Sequence, residues 1–226
     1  MRKACATLIA LALAAFALPA HAADVQQPAT TAKVPNFFGS TGLLELPSAY
    51  VQNNGQVSAF VGGTDDFVIG GVVGGIADRF ELGVSVLGNT GGIGGDDANV
   101  LVNAKYQILR EKRNLPALAV GVVDAADQLD LDPSWYVVAS KYFTKSEIEQ
   151  RFALKGHVGF GGGLYGDEPF GGAELFFDRH LSAMAEFRDG DINVGARYSY
   201  KAFTATLALF DLSDIGGQVA YAFRFK

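Results

Sequence analysis

Residues 218–225 read Gln-Val-Ala-Tyr-Ala-Phe-Arg-Phe, and this strict alternation constrains the chain more than any other feature. In an extended strand successive side chains point to opposite faces, so Val219, Tyr221, Phe223 and Phe225 share one face. Gln218, Ala220, Ala222 and Arg224 share the other. A wholly apolar face must be covered by a second sheet, as in a soluble sandwich, or by lipid, as at the closing seam of an outer-membrane β-barrel. The same pattern recurs in Val100, Val102, Ala104, Tyr106 and Ile108 against Asn103, Lys105 and Gln107. It recurs again in Ile192, Val194, Ala196, Tyr198 and Tyr200 against Asn193, Arg197 and Ser199.

Twelve segments from Gln56 onward read as strands: 56–63, 67–75, 80–87, 99–108, 116–124, 135–144, 152–163, 171–177, 181–188, 192–200, 203–210 and 217–225. The number is even, as single-chain bacterial barrels require, and most segments are long enough to cross a thin bilayer when tilted. The second, with Gly70, Gly71, Gly74 and Gly75, reads as a strand with a bulge or an inward fold. The 28 glycines suit many short strands joined by tight turns.

The first 22 residues carry Arg2 and Lys3, an apolar run from Ala4 to Leu18, and Ala20-His21-Ala22, the pattern of a secretory signal cut after Ala22. No later apolar stretch approaches 20 residues, so the expected mature chain holds no transmembrane helix. Cys5 is the sole cysteine and falls within the signal, which leaves disulfides, thiolate catalysis and cysteine metal sites without material. The mature chain would carry 16 basic and 24 acidic side chains, a net charge of −8 that disfavours nucleic acid as a partner.

With both termini in the periplasm, charge segregates between the two ends. The outer loops hold Asp65, Asp66, Asp96, Asp97, Asp124, Asp127, Asp130, Asp132, Asp167, Glu168, Asp189, Asp191, Asp211 and Asp214 and no Lys or Arg. The inner turns mix Arg79, Arg110, Lys112, Arg113, Lys145, Arg151, Arg179 and Lys201 with Asp78, Glu111, Glu147, Glu149 and Asp178. Asp is a common turn residue, which accounts for part of the contrast. Within the strands, Lys105, Lys141, Lys155, Arg188, Arg197 and Arg224 face Glu81, Glu174 and Glu186, joined by His157. All are expected in the lumen, because Lys or Arg on the lipid face costs about 2–4 kcal/mol at mid-membrane. Either they pair and fill a closed interior, or they leave a passage with three net positive charges, biased toward anions.

The phrase Asn36-Phe-Phe-Gly-Ser-Thr-Gly-Leu-Leu-Glu-Leu-Pro-Ser-Ala-Tyr50, followed by the Gly55 turn, resembles the N-terminal signature of the YjbH-like family of outer-membrane proteins. So do Leu115–Asp124 with Tyr136-Val-Val-Ala-Ser-Lys141, Ala185-Glu-Phe187, and Asn193-Val-Gly-Ala-Arg-Tyr198. The resemblance implies an outer-membrane barrel associated with exopolysaccharide production or export, here as a single short module, and implies no catalytic residues. Residues 23–36, rich in Gln, Thr, Ala and Pro, read as flexible, and Thr41 to Pro47 reads as a periplasmic cap in preference to a plug, since a plug is expected to be more polar.

Other constellations carry less. A lipid hydrolase would need a His beside a Ser on the lipid face; the mature chain offers only His157, pointing inward, and His180, in a turn. Gly161 to Gly166 matches Gly-x-Gly-x-x-Gly without a following helix, so it makes no phosphate cradle. Asp127, Asp130 and Asp132 lack the Gly and Glu of a Ca²⁺ loop. Trp135, Tyr136, Tyr142, Phe143, Tyr198, Tyr200, Phe203 and Phe210 read as interface girdles.

The expectation is an all-β, monomeric, transmembrane antiparallel up-and-down barrel of about 12 strands with a short N-terminal periplasmic segment. Its parts would be a signal (1–22), a flexible segment and cap (23–55) and a barrel (56–226), with no cofactor or metal. Expected partners are the outer membrane and lipopolysaccharide, an anionic polysaccharide and a periplasmic assembly protein. A closed structural barrel that docks such a protein is the alternative, and a lipid hydrolase a remoter one.

Overall fold

The computed structural model describes residues 33–89, 98–143 and 152–225. The expected signal, residues 23–32, and Asp96, Asp97, Lys145, Glu147, Glu149 and Arg151 lie outside them.

Alternating sequence produces twelve strands: β1 Gln56–Gly63, β2 Phe67–Ala77, β3 Phe80–Asn89, β4 Asn99–Leu109, β5 Ala117–Val123, β6 Ser134–Tyr142, β7 Ala153–Gly161, β8 Glu168–Phe176, β9 Leu181–Arg188, β10 Asp191–Tyr200, β11 Phe203–Phe210 and β12 Asp214–Arg224. Each pairs antiparallel with its sequence neighbours, and β1 closes on β12 with Gln56 opposite Arg224 and Gly63 opposite Gly217. Closure removes both sheet edges, so the strand N–H and C=O groups are paired within the barrel, as lipid demands. β2 shifts register between Gly75 and Ala77, and a second irregularity lies in β4 between Gln107 and Leu109.

The outward faces carry Val84, Val86, Val100, Val102, Tyr106, Ile192, Leu207, Val219, Tyr221 and Phe223, all exposed. Exposing one such side chain to water forgoes about 1.5–3 kcal/mol, so a continuous belt of them is matched only by an apolar surround. At one end the loops turn with Asp in the left-handed region: Asp124, Asp127, Asp130, Asp132, Asp167, Asp189 and Asp211 all have φ between 45° and 61°. Asp tolerates that conformation better than most residues, so the acidity of this rim follows in part from turn geometry.

Residues 34–51 run inside the barrel and are buried along their whole length. The segment folds on itself through bridges between Pro35 and Thr41 and between Gly42 and Pro47. A Cβ on Gly42 would stand 2.1 Å from the Leu46 carbonyl oxygen, so the second reversal admits no larger residue. The cap expected below the barrel is therefore a stopper within it, and residues 33–36, expected to be flexible, are its base. The expectation of a polar plug assumes a uniformly polar lumen; here part of the lumen is apolar. Phe37 stacks edge-on against Phe210 with centroids 5.0 Å apart, and Leu43 and Leu44 pack with Met184 and Ala208.

Candidate functional site

The stopper's backbone is held by the charged side chains that alternation turns inward. Glu186 on β9 accepts the amide N–H groups of Leu44, Glu45 and Leu46 at 3.1, 2.9 and 3.2 Å, and the Asn193 side-chain amide at 3.0 Å. Glu81 on β3 accepts the Thr41 and Gln52 amides at 2.9 and 2.8 Å together with the hydroxyls of Thr41 and Ser40. The carbonyls of the same turns are met by cations. Lys105 donates to Thr41 and Tyr50 at 2.7 and 3.0 Å, and Arg197 donates to Leu43 at 2.7 Å and to Gly42 at 3.3 Å.

Neutral side chains complete the seat. Asn103 donates to the Phe38 carbonyl, Gln107 to that of Ala49 at 2.6 Å and Gln218 to that of Asn36 at 2.9 Å, while Ser140 accepts the Ala49 amide at 2.8 Å. Gly83 on β3 lets the Gly39 turn approach so closely that a Cβ there would lie 2.4 Å from the Gly39 oxygen. Buried backbone groups without partners are costly, and this wall supplies a partner for each of those named.

The charges also pair with one another. Lys105 lies 3.2 Å from Glu81, and Glu174 takes Lys155 at 3.2 Å and Arg197 at 3.4 Å. Arg188 bridges to Glu45 of the stopper at 2.9 Å and also donates to the Leu164 carbonyl. Lys155 sits among the rings of Tyr50, Tyr142 and Phe176, 5.1, 5.3 and 5.1 Å from their centroids. His157 hydrogen-bonds Ser140 through Nδ1 at 2.7 Å, and its Nε2 has no partner among the described residues.

Lys105, Lys155, Arg188, Arg197, Glu81, Glu174, Glu186 and His157 thus all face the lumen. Arg224, opposite Gln56 on an inward row, sits exposed at the mouth near the chain's end. Lys141 does not join them. It stands opposite Gly156, between inward Lys155 and His157, and therefore lies on the outer parity. Its ammonium curls to the β4–β5 turn and donates to the carbonyls of Lys112, Arg113 and Leu115, which keeps the charge out of lipid. Without Lys141, the expected set holds five inward cations against three carboxylates, two net positive charges where three were expected, while Glu168, Asp191 and Asp214 stand on the inward rows at the acidic rim.

The remaining candidates also find places. The Ser140–His157 pair faces the stopper and not the lipid, which is the wrong side for a lipid hydrolase. His180 donates through Nδ1 to the Ser199 carbonyl at 2.7 Å, with Tyr198 and Tyr200 flanking its ring. Gly163–Tyr165 forms one 3-10 turn that folds inward, so Leu164 and Tyr165 are buried, Tyr165 against Tyr136 and Phe170. Of the expected girdle, Trp135, Tyr198, Tyr200 and Phe203 face outward, while Tyr136, Tyr142 and Phe210 face in and pack on the lumen contents. Among the described residues no group of three His, Cys, Asp or Glu is placed to hold a metal.

The YjbH family model, described as exopolysaccharide biosynthesis protein YbjH, matches residues 34–197, a span that runs from the stopper to Arg197. The chain belongs to this family. Family membership therefore covers the stopper together with most of the wall that holds it. No curated protein sequence matches the chain. Among solved structures it is similar to a KdgM porin, at 12% identity and a TM-score of 0.49 over 76% of this chain and 99% of the other. The KdgM porin in complex with disordered oligogalacturonate gives 12% identity and a TM-score of 0.47 over the same shares. A mutant of the Rhodopseudomonas blastica porin gives 13% identity and a TM-score of 0.34, over 71% of this chain and 56% of that one.

Proposed function

We propose that this outer-membrane barrel serves exopolysaccharide production or export, and that its own residues 34–51 stopper the lumen at rest. The observation that carries the reading is the kind of contact holding the stopper. Most of its grip consists of reversible hydrogen bonds from charged wall groups to backbone, which an unwinding stopper would exchange for water. Withdrawal would uncover a mid-lumen wall in which Lys105, Lys155, Arg188 and Arg197 outnumber Glu81, Glu174 and Glu186 by one, suited to attract an anionic polysaccharide without binding it tightly. Twelve strands lie between the roughly eight that side chains can fill and the roughly sixteen that leave an aqueous channel, so an internal segment is needed to close the bore and its loss would open one. In this reading both termini face the periplasm, where a partner could take hold of the chain ahead of Val34.

A second reading is favoured by the same contacts counted as a packed interior: Glu45, Glu81 and Glu174 are ion-paired with Lys105, Lys155, Arg188 and Arg197 around the stopper. A barrel permanently filled in this way would act as a scaffold that docks a periplasmic protein through its basic turns. The deciding comparison is the amount of polysaccharide released by a producing strain that lacks the chain, when complemented by the wild type or by a Glu186→Ala variant with a loosened stopper. Restored release by the wild type, and altered release by the variant at equal barrel abundance, supports the gated passage. Identical release from both refutes it in favour of the scaffold.

A further inference from the structure

At the end where β1 begins and β12 finishes, a cavity of about 240 Å³ lies between the base of the stopper and the closing seam. Lys33, Lys201 and Arg224 all line it, with Gln56, Ser58 and Thr204, and among the described residues no carboxylate lines it. This differs from the lumen above, where cations are matched by carboxylates. Among the described residues, Lys201 and Arg224 make no ion pair, the Lys201 ammonium resting over the Tyr200 ring 5.2 Å from its centroid, and Lys33 bonds only to the neutral side-chain amide of Asn53. Burial holds the Lys33 ammonium below the ordinary lysine value, against the opposing pull of Glu81.

A second observation points into the same space. Ser58 is 1% exposed and its hydroxyl has no hydrogen-bond partner among the described residues, an unusual state for a buried polar group. Ser58 lies on the inward row of β1 and is one of the residues lining this cavity. Three cations and an unsatisfied hydroxyl, with no carboxylate among the described lining residues, leave room for a ligand that supplies negative charge and acceptor oxygens.

We infer that this cavity binds one anionic group, a carboxylate or a phosphate, entering from the aqueous mouth of the barrel. The volume falls below the roughly 300–1,000 Å³ of sites that enclose drug-sized ligands, so it takes one charged group or one sugar ring and not a length of chain. The aqueous source follows from the wall: Ser58, Thr204, Gln56 and Arg224 belong to inward rows, away from lipid. Because Lys33 sits at the stopper's base, the site is complete only in the stoppered form, and an occupying anion adds to the stability of that form.

The test is calorimetric titration of the folded full chain, in neutral detergent at constant ionic strength, with inorganic phosphate and separately with glucuronate. Saturable binding of one equivalent of either probe is expected, weakened about tenfold or more by Lys201→Gln and by Arg224→Gln, the loss of one charge-assisted hydrogen bond. Ser58→Ala, which removes no charge, should weaken it several-fold, and Arg113→Gln in the β4–β5 turn should leave Kd unchanged. Heat-modifiable migration confirms that each variant is folded. Displacement of both probes by phosphatidylglycerol nanodiscs, and not by phosphatidylcholine nanodiscs, would assign the site to a lipid headgroup and overturn the aqueous source. No saturable binding to the folded wild type, or equal Kd in all variants, would overturn the site while leaving the stopper reading intact.

Discussion

Glu186→Ala should loosen the stopper without dismantling the barrel. The carboxylate accepts three consecutive backbone N–H groups, from Leu44, Glu45 and Leu46, deep in the lumen. A buried donor left without an acceptor costs about 1–3 kcal/mol, and the lower figure applies because water can enter the space the side chain vacates. Three donors then give about 3 kcal/mol. At about 1.4 kcal/mol per tenfold, the population of the displaced stopper rises roughly 100-fold. The strand ladders of β9 are untouched, since only a side chain is removed. The assay is maleimide labelling of a Ser48→Cys variant, a position 2% exposed in the stoppered form, with Cys5 replaced so that the introduced thiol is the only one. When opening and closing are fast relative to labelling, the rate follows the open population. A heat-modifiable Glu186→Ala barrel whose labelling rate stays within about threefold of the parent would show that Glu186 does not anchor the stopper.

Three further outcomes follow from single contacts. Gly83→Ala puts a Cβ 2.4 Å from the Gly39 oxygen, so the stopper should be destabilised by about 1–3 kcal/mol, and the Ser48→Cys thiol should label faster while the barrel migrates normally. Lys141→Gln should leave the ion selectivity of an opened barrel unchanged, whereas Arg197→Gln should reduce its anion preference, because only the latter faces the bore; reversal potentials in a salt gradient separate them. Glu111 in the β4–β5 turn accepts the Tyr50 hydroxyl and the Tyr142 amide, and burial raises its carboxyl above the ordinary glutamate value of 4.5. The folded state therefore binds this proton more tightly than the unfolded state. The stabilisation it brings is full below about pH 4.5 and is lost as pH rises through the raised value. Urea unfolding of Glu111→Gln should show a shallower decline over that interval than the wild type.

The barrel was legible because lipid imposes one rule on every strand. Alternation set the face, and each of the twelve strands ends within about three residues of its expected place. Lys141 escapes that rule. Near a strand end a long side chain can leave the lipid face and find turn carbonyls, so its charge no longer reports its parity. The signal that places it lies in its own strand: Ser140 and Tyr142, flanking it, keep the inward phase begun by Tyr136 and Val138.

The stopper's position was hidden for a different reason. Leu43, Leu44 and Leu46 look unsuited to a polar lumen, but Phe210, Ala208 and Met184 sit at inward positions of their strands and make an apolar patch that Leu43 and Leu44 fill. Those three inward apolar residues are readable in the sequence, as are Glu186 and Glu81 in strands with few opposite charges beside them. What no strand pattern could provide was the partner of those carboxylates, because they bind backbone N–H groups, which every residue but proline carries. The mouth cavity was equally hidden, since it gathers residues from the stopper's base, the β10–β11 turn and the seam, brought together only by closure.

On the proposed function, residues 34–51 close a bore that would otherwise conduct. Single-channel recording in a planar bilayer tests it, comparing the full chain with a variant lacking residues 34–51 whose folding is verified by heat-modifiable migration. The full chain should be silent or show only rare, brief openings, and the shortened chain should give discrete, anion-preferring steps. Equal steady conductance from both would show that the segment does not seal the lumen, and silence from both would show that the bore is closed without it.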